Sequence, residues 1–145
     1  MNERSFLRIN ATCSDLASIR QFVEDEARCA HSRSDAIQDM VIATNEAVTN
    51  VLTHGYQGQP GMIEIEVSFE NKKLMVRLRD QAPMFDPTAD PSDQFALSLD
   101  QPLSGGMGIH MMRELTDEII YRKTTDGRNE LILVIEGVRN QRFEP

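Results

Sequence analysis

Met62-Ile63-Glu64-Ile65-Glu66-Val67-Ser68-Phe69 alternates apolar and polar residues, and Lys73-Leu74-Met75-Val76-Arg77-Leu78-Arg79-Asp80 alternates again after Asn71-Lys72. Side chains along a strand point to opposite faces in turn, so this period predicts two half-buried strands joined by a hairpin turn. Such strands wet one face and need a cover for the other. Upstream, Ser5 to Ile9 reads as a first strand through Phe6, Leu7 and Ile9. Thr12 or Ser14 can cap a helix to about Ala30, with Leu16, Ile19, Phe22 and Val23 on one face. Ser34 or Asp35 can cap a second helix to about Leu52, whose stripe is Ile37, Met40, Val41, Thr44, Val48 and Val51. Downstream, 81–104 has little periodicity and many prolines, Met107 to Leu115 reads as a short helix, and Glu118–Lys123 with Asn129–Glu136 as a closing hairpin. The order is strand, two helices, two strands, long loop, helix, two strands. That order predicts an α+β two-layer sandwich, with the helices on one face of a mixed, mostly antiparallel sheet. Missing βαβ alternation excludes a doubly wound fold.

The chain has 145 residues and a formal net charge of -8. Its length fits a single domain over 1–145. The negative charge disfavours nucleic acid and anionic membrane as partners, since both need concentrated Lys and Arg. No apolar run approaches a membrane span, and Met1 to Phe6 lacks the apolar core of a signal peptide. With a helix between them, Cys13 and Cys29 would sit about 20 Å apart, too far for a disulfide. Two free thiols fit a reducing cytoplasm.

The chemistry concentrates in Asn45-Glu46-Ala47-Val48-Thr49-Asn50-Val51-Leu52-Thr53-His54-Gly55-Tyr56. Glu46, Asn50 and His54 recur every fourth residue and face away from the apolar stripe, alongside the small Ala43 and Ala47. Asn50 offers an oxygen to Mg²⁺, and Glu46 a base for a water or hydroxyl. Taken alone, the pair reads more often as ordinary polar residues on a solvated helix face. Gly105-Gly106-Met107-Gly108-Ile109-His110 reads as a glycine-rich entry to the third helix, where backbone N–H groups can approach phosphates. It lacks the Lys-Ser/Thr of a P-loop. Asp80, ending its strand, is either an acceptor for an exocyclic amino group or an ordinary turn Asp. His54 and His110 have no zinc-ligand spacing.

In this order, Asn-Glu-Ala-x-x-Asn with His-x-Tyr resembles the N-box of the GHKL ATPases, which group gyrase, a heat-shock chaperone, histidine kinases and MutL. Asp80 with Phe85-Asp86-Pro87 resembles the first glycine box, and Gly106-x-Gly108-Ile109 the second. His54-Gly55-Tyr56 and Phe85-Asp86-Pro87 resemble the RsbW-like branch of anti-sigma factors with serine-protein kinase activity. The resemblance runs from about Ser5 to Val134. It implies a Bergerat-type (histidine-kinase-like) ATP site with a lid over about 81–106. In it Glu46 is the general base, Asn50 the Mg²⁺ ligand and Asp80 the adenine contact. His54, Ala82, Phe85, Gly105, Gly106, Met107, Gly108, Ile109 and His110 would line the nucleotide. It also implies phosphorylation of a STAS-type anti-sigma antagonist, sequestration of a sigma factor, and a homodimer. The alternative is a non-catalytic, ATP-responsive protein-binding switch.

Two positions and one stretch depart from the family pattern. Ala82 stands where the first box normally has Gly, and alignment on Gly127-Arg128-Asn129 puts Ile132 where a Thr commonly lies near adenine. Between Arg79 and Arg113 there is no Lys or Arg, whereas Asp80, Asp86, Asp90, Asp93 and Asp100 fall in that stretch. A lid without cations predicts nucleotide binding that depends on Mg²⁺.

Overall fold

The computed structural model describes residues 3–30, 32–83 and 104–137. Strand β1 is Glu3–Ala11, followed by a 3₁₀ turn at Cys13–Asp15 and helix α1, Leu16–Cys29. Helix α2, Ser34–Asn50, runs on into a π turn, Val51–Gly55. The β2–β3 hairpin is Gly61–Glu70 with Lys73–Asp80; then come α3, Ser104–Leu115, and the β4–β5 hairpin, Glu118–Lys123 with Asn129–Glu136.

The sheet order is β1-β2-β3-β5-β4. Every pairing is antiparallel, which corrects the expectation of a mixed sheet. The reason lies in the closing hairpin. The connection through α3 makes β4 run parallel to β3, but β5 inserts between them and pairs antiparallel with both. Asn71 and Lys72 have φ of 52° and 63°. Two positive values are what a two-residue hairpin turn needs to match strand twist.

Register places the apolar positions of neighbouring strands side by side: Ile65 opposite Leu78, Val67 opposite Val76, Leu78 opposite Leu131. With Ile63, Leu74 and Leu133 they form one buried face against Ile19 and Val23 of α1, Met40 and Val48 of α2, and Met112 of α3. A side chain of this size, fully buried, contributes about 1.5–3 kcal/mol. Leu7 and Ile9 lean on this core, whereas Phe6 faces out and is 56% exposed.

Helix α2 packs against both α1 and α3. Being flanked on both sides buries Ala43 and Ala47 completely, so they belong to the core and not to an open ligand face as expected from the helix period. The helix starts differ too. Thr12 closes a capping box with Asp15, whereas α2 is preceded by Arg33 in extended conformation, leaving Ser34 and Asp35 inside its first turn. The third helix begins at Ser104, three residues earlier than the pattern suggested, so Gly105 and Gly106 are helical.

The opposite sheet face carries charge. Arg79 donates to Glu130 at 2.6 Å, Glu64 at 2.8 Å and Glu66 at 2.8 Å. Arg122 also reaches Glu130 at 2.5 Å, and Arg77 lies 3.4 Å from Glu66. Glu66 and Glu130 are almost fully buried, so these arginines neutralise carboxylates that would otherwise be costly to desolvate. Among the described residues no helix is long and apolar enough to cross a membrane.

Candidate functional site

Asn50 ends α2 and is buried, and its amide nitrogen has no hydrogen-bond partner among the described residues. A buried polar atom without a partner costs about 1–3 kcal/mol and calls for an explanation. A bound ligand is one. Which end of the amide is oxygen is fixed only by such a partner. One turn back, Glu46 is half-buried and makes no hydrogen bond or ion pair among the described residues. No group of three or more His, Cys, Asp or Glu among them is placed to hold a metal. That suits Mg²⁺, which takes one or two protein oxygens and completes its shell with water and phosphate. The orphaned Asn50 nitrogen is a donor and fits an acceptor such as a phosphate oxygen, whereas only the amide oxygen could ligate Mg²⁺.

Beyond Asn50 the helix widens. Tyr56 N–H reaches Val51 O at 2.8 Å, and Gly58 N–H reaches Leu52 O at 2.9 Å. The wider turn takes His54 off the regular four-residue line from Glu46 and Asn50 and leaves it half-buried. It also carries Gly55 onto Ala82: a Cβ built at Gly55 would lie 2.8 Å from that of Ala82. Tyr56 makes the second link, its hydroxyl donating to Met62 O at 2.7 Å and accepting from Gln81 N–H at 2.9 Å. Burial pushes the Tyr56 phenol up. The helix end bearing Asn50 and the strand end bearing Asp80 are thus fastened together.

Asp80 is buried at the end of β3. Its Oδ1 accepts from Ala82 N–H at 2.9 Å and from the Asn129 amide at 2.8 Å, and Oδ2 has no partner among the described residues. Burial pushes the carboxyl up, and those two hydrogen bonds and the charge of Lys123 pull against it. A turn Asp would face water. This one is held in the interior with one oxygen available. Ala82 does not have a positive φ, so alanine fits here without backbone strain.

Asn129, Tyr121 and Lys123 are the residues that sequence reasoning missed. The alignment had put Ile132 beside the base, but Ile132 pairs with Arg77 and is not part of the inner core face. Asn129 is the residue opposite Asp80. A one-residue change of register reverses strand faces, and three residues also reverse them. Counting β5 out from the expected hairpin turn would have found it.

The glycine segment lies in the opening turns of α3, which packs against α2. His110 falls in the second turn; its side chain is 74% exposed and pairs with Glu114 at 3.0 Å. Phe85 and lid residues 84–103 lie outside the described residues.

Residues 9–135 match the histidine kinase-like ATPase domain. The serine-protein kinase RsbW of Staphylococcus epidermidis is 28% identical over 142 residues, 92% of this chain and 89% of that protein. RsbW of Bacillus pumilus is 31% identical over 118 residues, 77% of this chain and 67% of that protein. The serine/threonine-protein kinase BtrW of Bordetella bronchiseptica is 28% identical over 95 residues, 65% of this chain and 66% of that protein. Among solved structures, the RsbU and RsbW domains of a Mycobacterium tuberculosis protein superpose with a TM-score of 0.63 at 17% identity, covering 97% of this chain and 35% of that one. At that identity the likeness speaks for the fold. With the N-box helix, the buried Asp80 and the antiparallel sheet, the match over 9–135 means that this chain belongs to the histidine kinase-like ATPase family, in its RsbW-like branch.

Proposed function

We propose that the chain binds ATP with Mg²⁺ and acts as an anti-sigma factor and serine-protein kinase, transferring phosphate to a serine of a STAS-type antagonist. The observation that carries this is the buried Asp80 carboxylate, which keeps one oxygen for a donor and is fastened to the helix end where the Asn50 amide nitrogen has no partner among the described residues. Relatives named serine-protein kinases support the same reading. Asn50 would hold the metal, which supplies charge stabilisation at the phosphates. Glu46, half-buried and unpaired among the described residues, takes the proton of the attacking serine hydroxyl. His54, Ala82, Phe85 and the Gly105 to His110 segment complete the proposed nucleotide contacts. The proposed setting is a cytoplasmic homodimer that sequesters a sigma factor.

The test incubates the protein with Mg-ATP and its candidate STAS-type antagonist and measures phosphoserine by mass spectrometry. Stoichiometric transfer that Glu46→Ala abolishes, with nucleotide binding retained, is the expected outcome. Absence of transfer to every cognate antagonist refutes the kinase reading.

A second reading has its own observation. The 80–112 stretch contains no Lys or Arg, and Arg79 is occupied by three glutamates on the far sheet face. Poor positive stabilisation of a transferring phosphoryl group favours a switch that binds ATP and releases a partner without catalysis. ATP-dependent partner release that survives Glu46→Ala identifies that case.

A further inference from the structure

We propose that Tyr121 and Asn129 are the positioning pair that sets base selectivity, by fixing the Asp80 carboxylate so that one oxygen alone faces the base; this rests on the nucleotide-site reading above. Asn129 is buried, at 3% exposure. Its amide nitrogen donates to Asp80 Oδ1 at 2.8 Å and to the Ala82 carbonyl at 3.0 Å, and its amide oxygen accepts from the Tyr121 hydroxyl at 2.9 Å. Only one orientation of the amide satisfies these neighbours. Flipped, its oxygen would face a carboxylate and a carbonyl, neither of which can donate. The Tyr121 ring packs against the hydrophobic core, so the hydroxyl that holds the orientation is itself held.

The consequence falls on Asp80. With Ala82 N–H and Asn129 both on Oδ1, Oδ2 is the oxygen with no partner among the described residues. An ionised carboxylate only accepts, so the ligand group opposite Oδ2 must donate. A 6-amino purine does, whereas a 6-oxo purine sets an acceptor against an acceptor. Burial pushes this carboxyl up, and the two hydrogen bonds on Oδ1 and the charge of Lys123 work against that rise. Sites built to hydrogen-bond one group reject its analogue strongly, because the buried partner is left unpaired. Without the Tyr121 hydroxyl the amide oxygen loses its donor and Asn129 is held only through its nitrogen, so the position of the Asp80 carboxylate loosens and the penalty against a 6-oxo base falls.

The probes are ATP and inosine triphosphate, which differ at the purine 6-position, each with Mg²⁺ and titrated by fluorescence competition. The wild-type chain is expected to prefer ATP. Tyr121→Phe, which removes one oxygen and keeps the ring in the core, should lower that preference about tenfold, the scale of one hydrogen bond to a charged group. Asn129→Leu should lower it at least as much. A preference unchanged in Tyr121→Phe, with its melting temperature near wild type, overturns the proposal even if Asn129→Leu fails to fold. A wild-type chain that binds neither triphosphate overturns the nucleotide reading itself, and this proposal with it.

Discussion

Gly55 and Ala82 are in contact with no room for a methyl group between them: a Cβ at Gly55 would sit 2.8 Å from the Cβ of Ala82. Two small residues let the widened end of α2 meet the exit of β3. Gly55→Ala therefore overpacks the contact and should cost about 1–3 kcal/mol. Ala82→Gly made in the same chain removes the opposing methyl and should recover most of that loss. Urea unfolding of the two single variants and the double variant measures the coupling. Equal costs of Gly55→Ala in both backgrounds would show that the contact is not the cause.

The Tyr56 hydroxyl joins β2 to the residue after β3, donating to Met62 O and accepting from Gln81 N–H. Tyr56→Phe leaves the ring in place and strands both backbone groups, for a loss of about 1–2 kcal/mol. Gly61→Ala should be worse, because its Cβ would lie 2.3 Å from the Tyr56 ring. The midpoint of urea unfolding checks both. A Gly61→Ala chain as stable as wild type would mean that the ring can move away.

How far the sequence told this story depends on the range of each interaction. The strands of both hairpins were legible because a period of two is local, and Glu118–Lys123 and Asn129–Glu136 fall where the pattern put them. The burial of Ala43 and Ala47 was not, because it depends on α3 arriving from far along the chain to cover α2. The same holds at the site. Glu46, Asn50 and Asp80 carry recognisable spacing, whereas Asn129 is defined only by which residue β5 sets opposite Asp80. Nothing in the helix period announces the π turn that moves His54 off the line of Glu46 and Asn50.

Arg79 holds three carboxylates at once on the outer sheet face. Arg79→Met leaves Glu66 and Glu130 buried with reduced pairing and should cost about 3–5 kcal/mol. The network also sets an acid limb. Burial works to raise the Glu64 and Glu130 carboxyls, but hydrogen bonds from Arg79 to both, and from Arg122 to Glu130, hold them below the ordinary glutamate value. A depressed carboxylate contributes stability above its unfolded value, about 4.3, and loses it as pH falls through the lower folded value. Unfolding free energy measured from pH 7 to pH 2 should fall in that acid window for wild type and more shallowly for Arg79→Met. Parallel profiles would exclude the network as the source.

Asp80 shifts the other way, and its stability sign reverses with it. Burial raises its carboxyl above the ordinary aspartate value. Its contribution is then full below the unfolded value and is lost as pH rises through the folded one, so at neutral pH the ionised form destabilises the empty site. Asp80→Asn keeps an oxygen for Ala82 N–H and Asn129 while removing the buried charge. The variant should melt higher than wild type at pH 7 without nucleotide, by a few degrees if the gain is about 1 kcal/mol. It should also fail to gain the further rise that Mg-ATP gives wild type, since a ligand stabilises only the state that binds it. Thermal melts at pH 4 and pH 7, with and without Mg-ATP, separate the two effects. The stability advantage should be smaller at the lower pH, where more of the native carboxyl is protonated; an advantage of equal size at both pH values would mean that charge burial is not what Asp80 costs the fold.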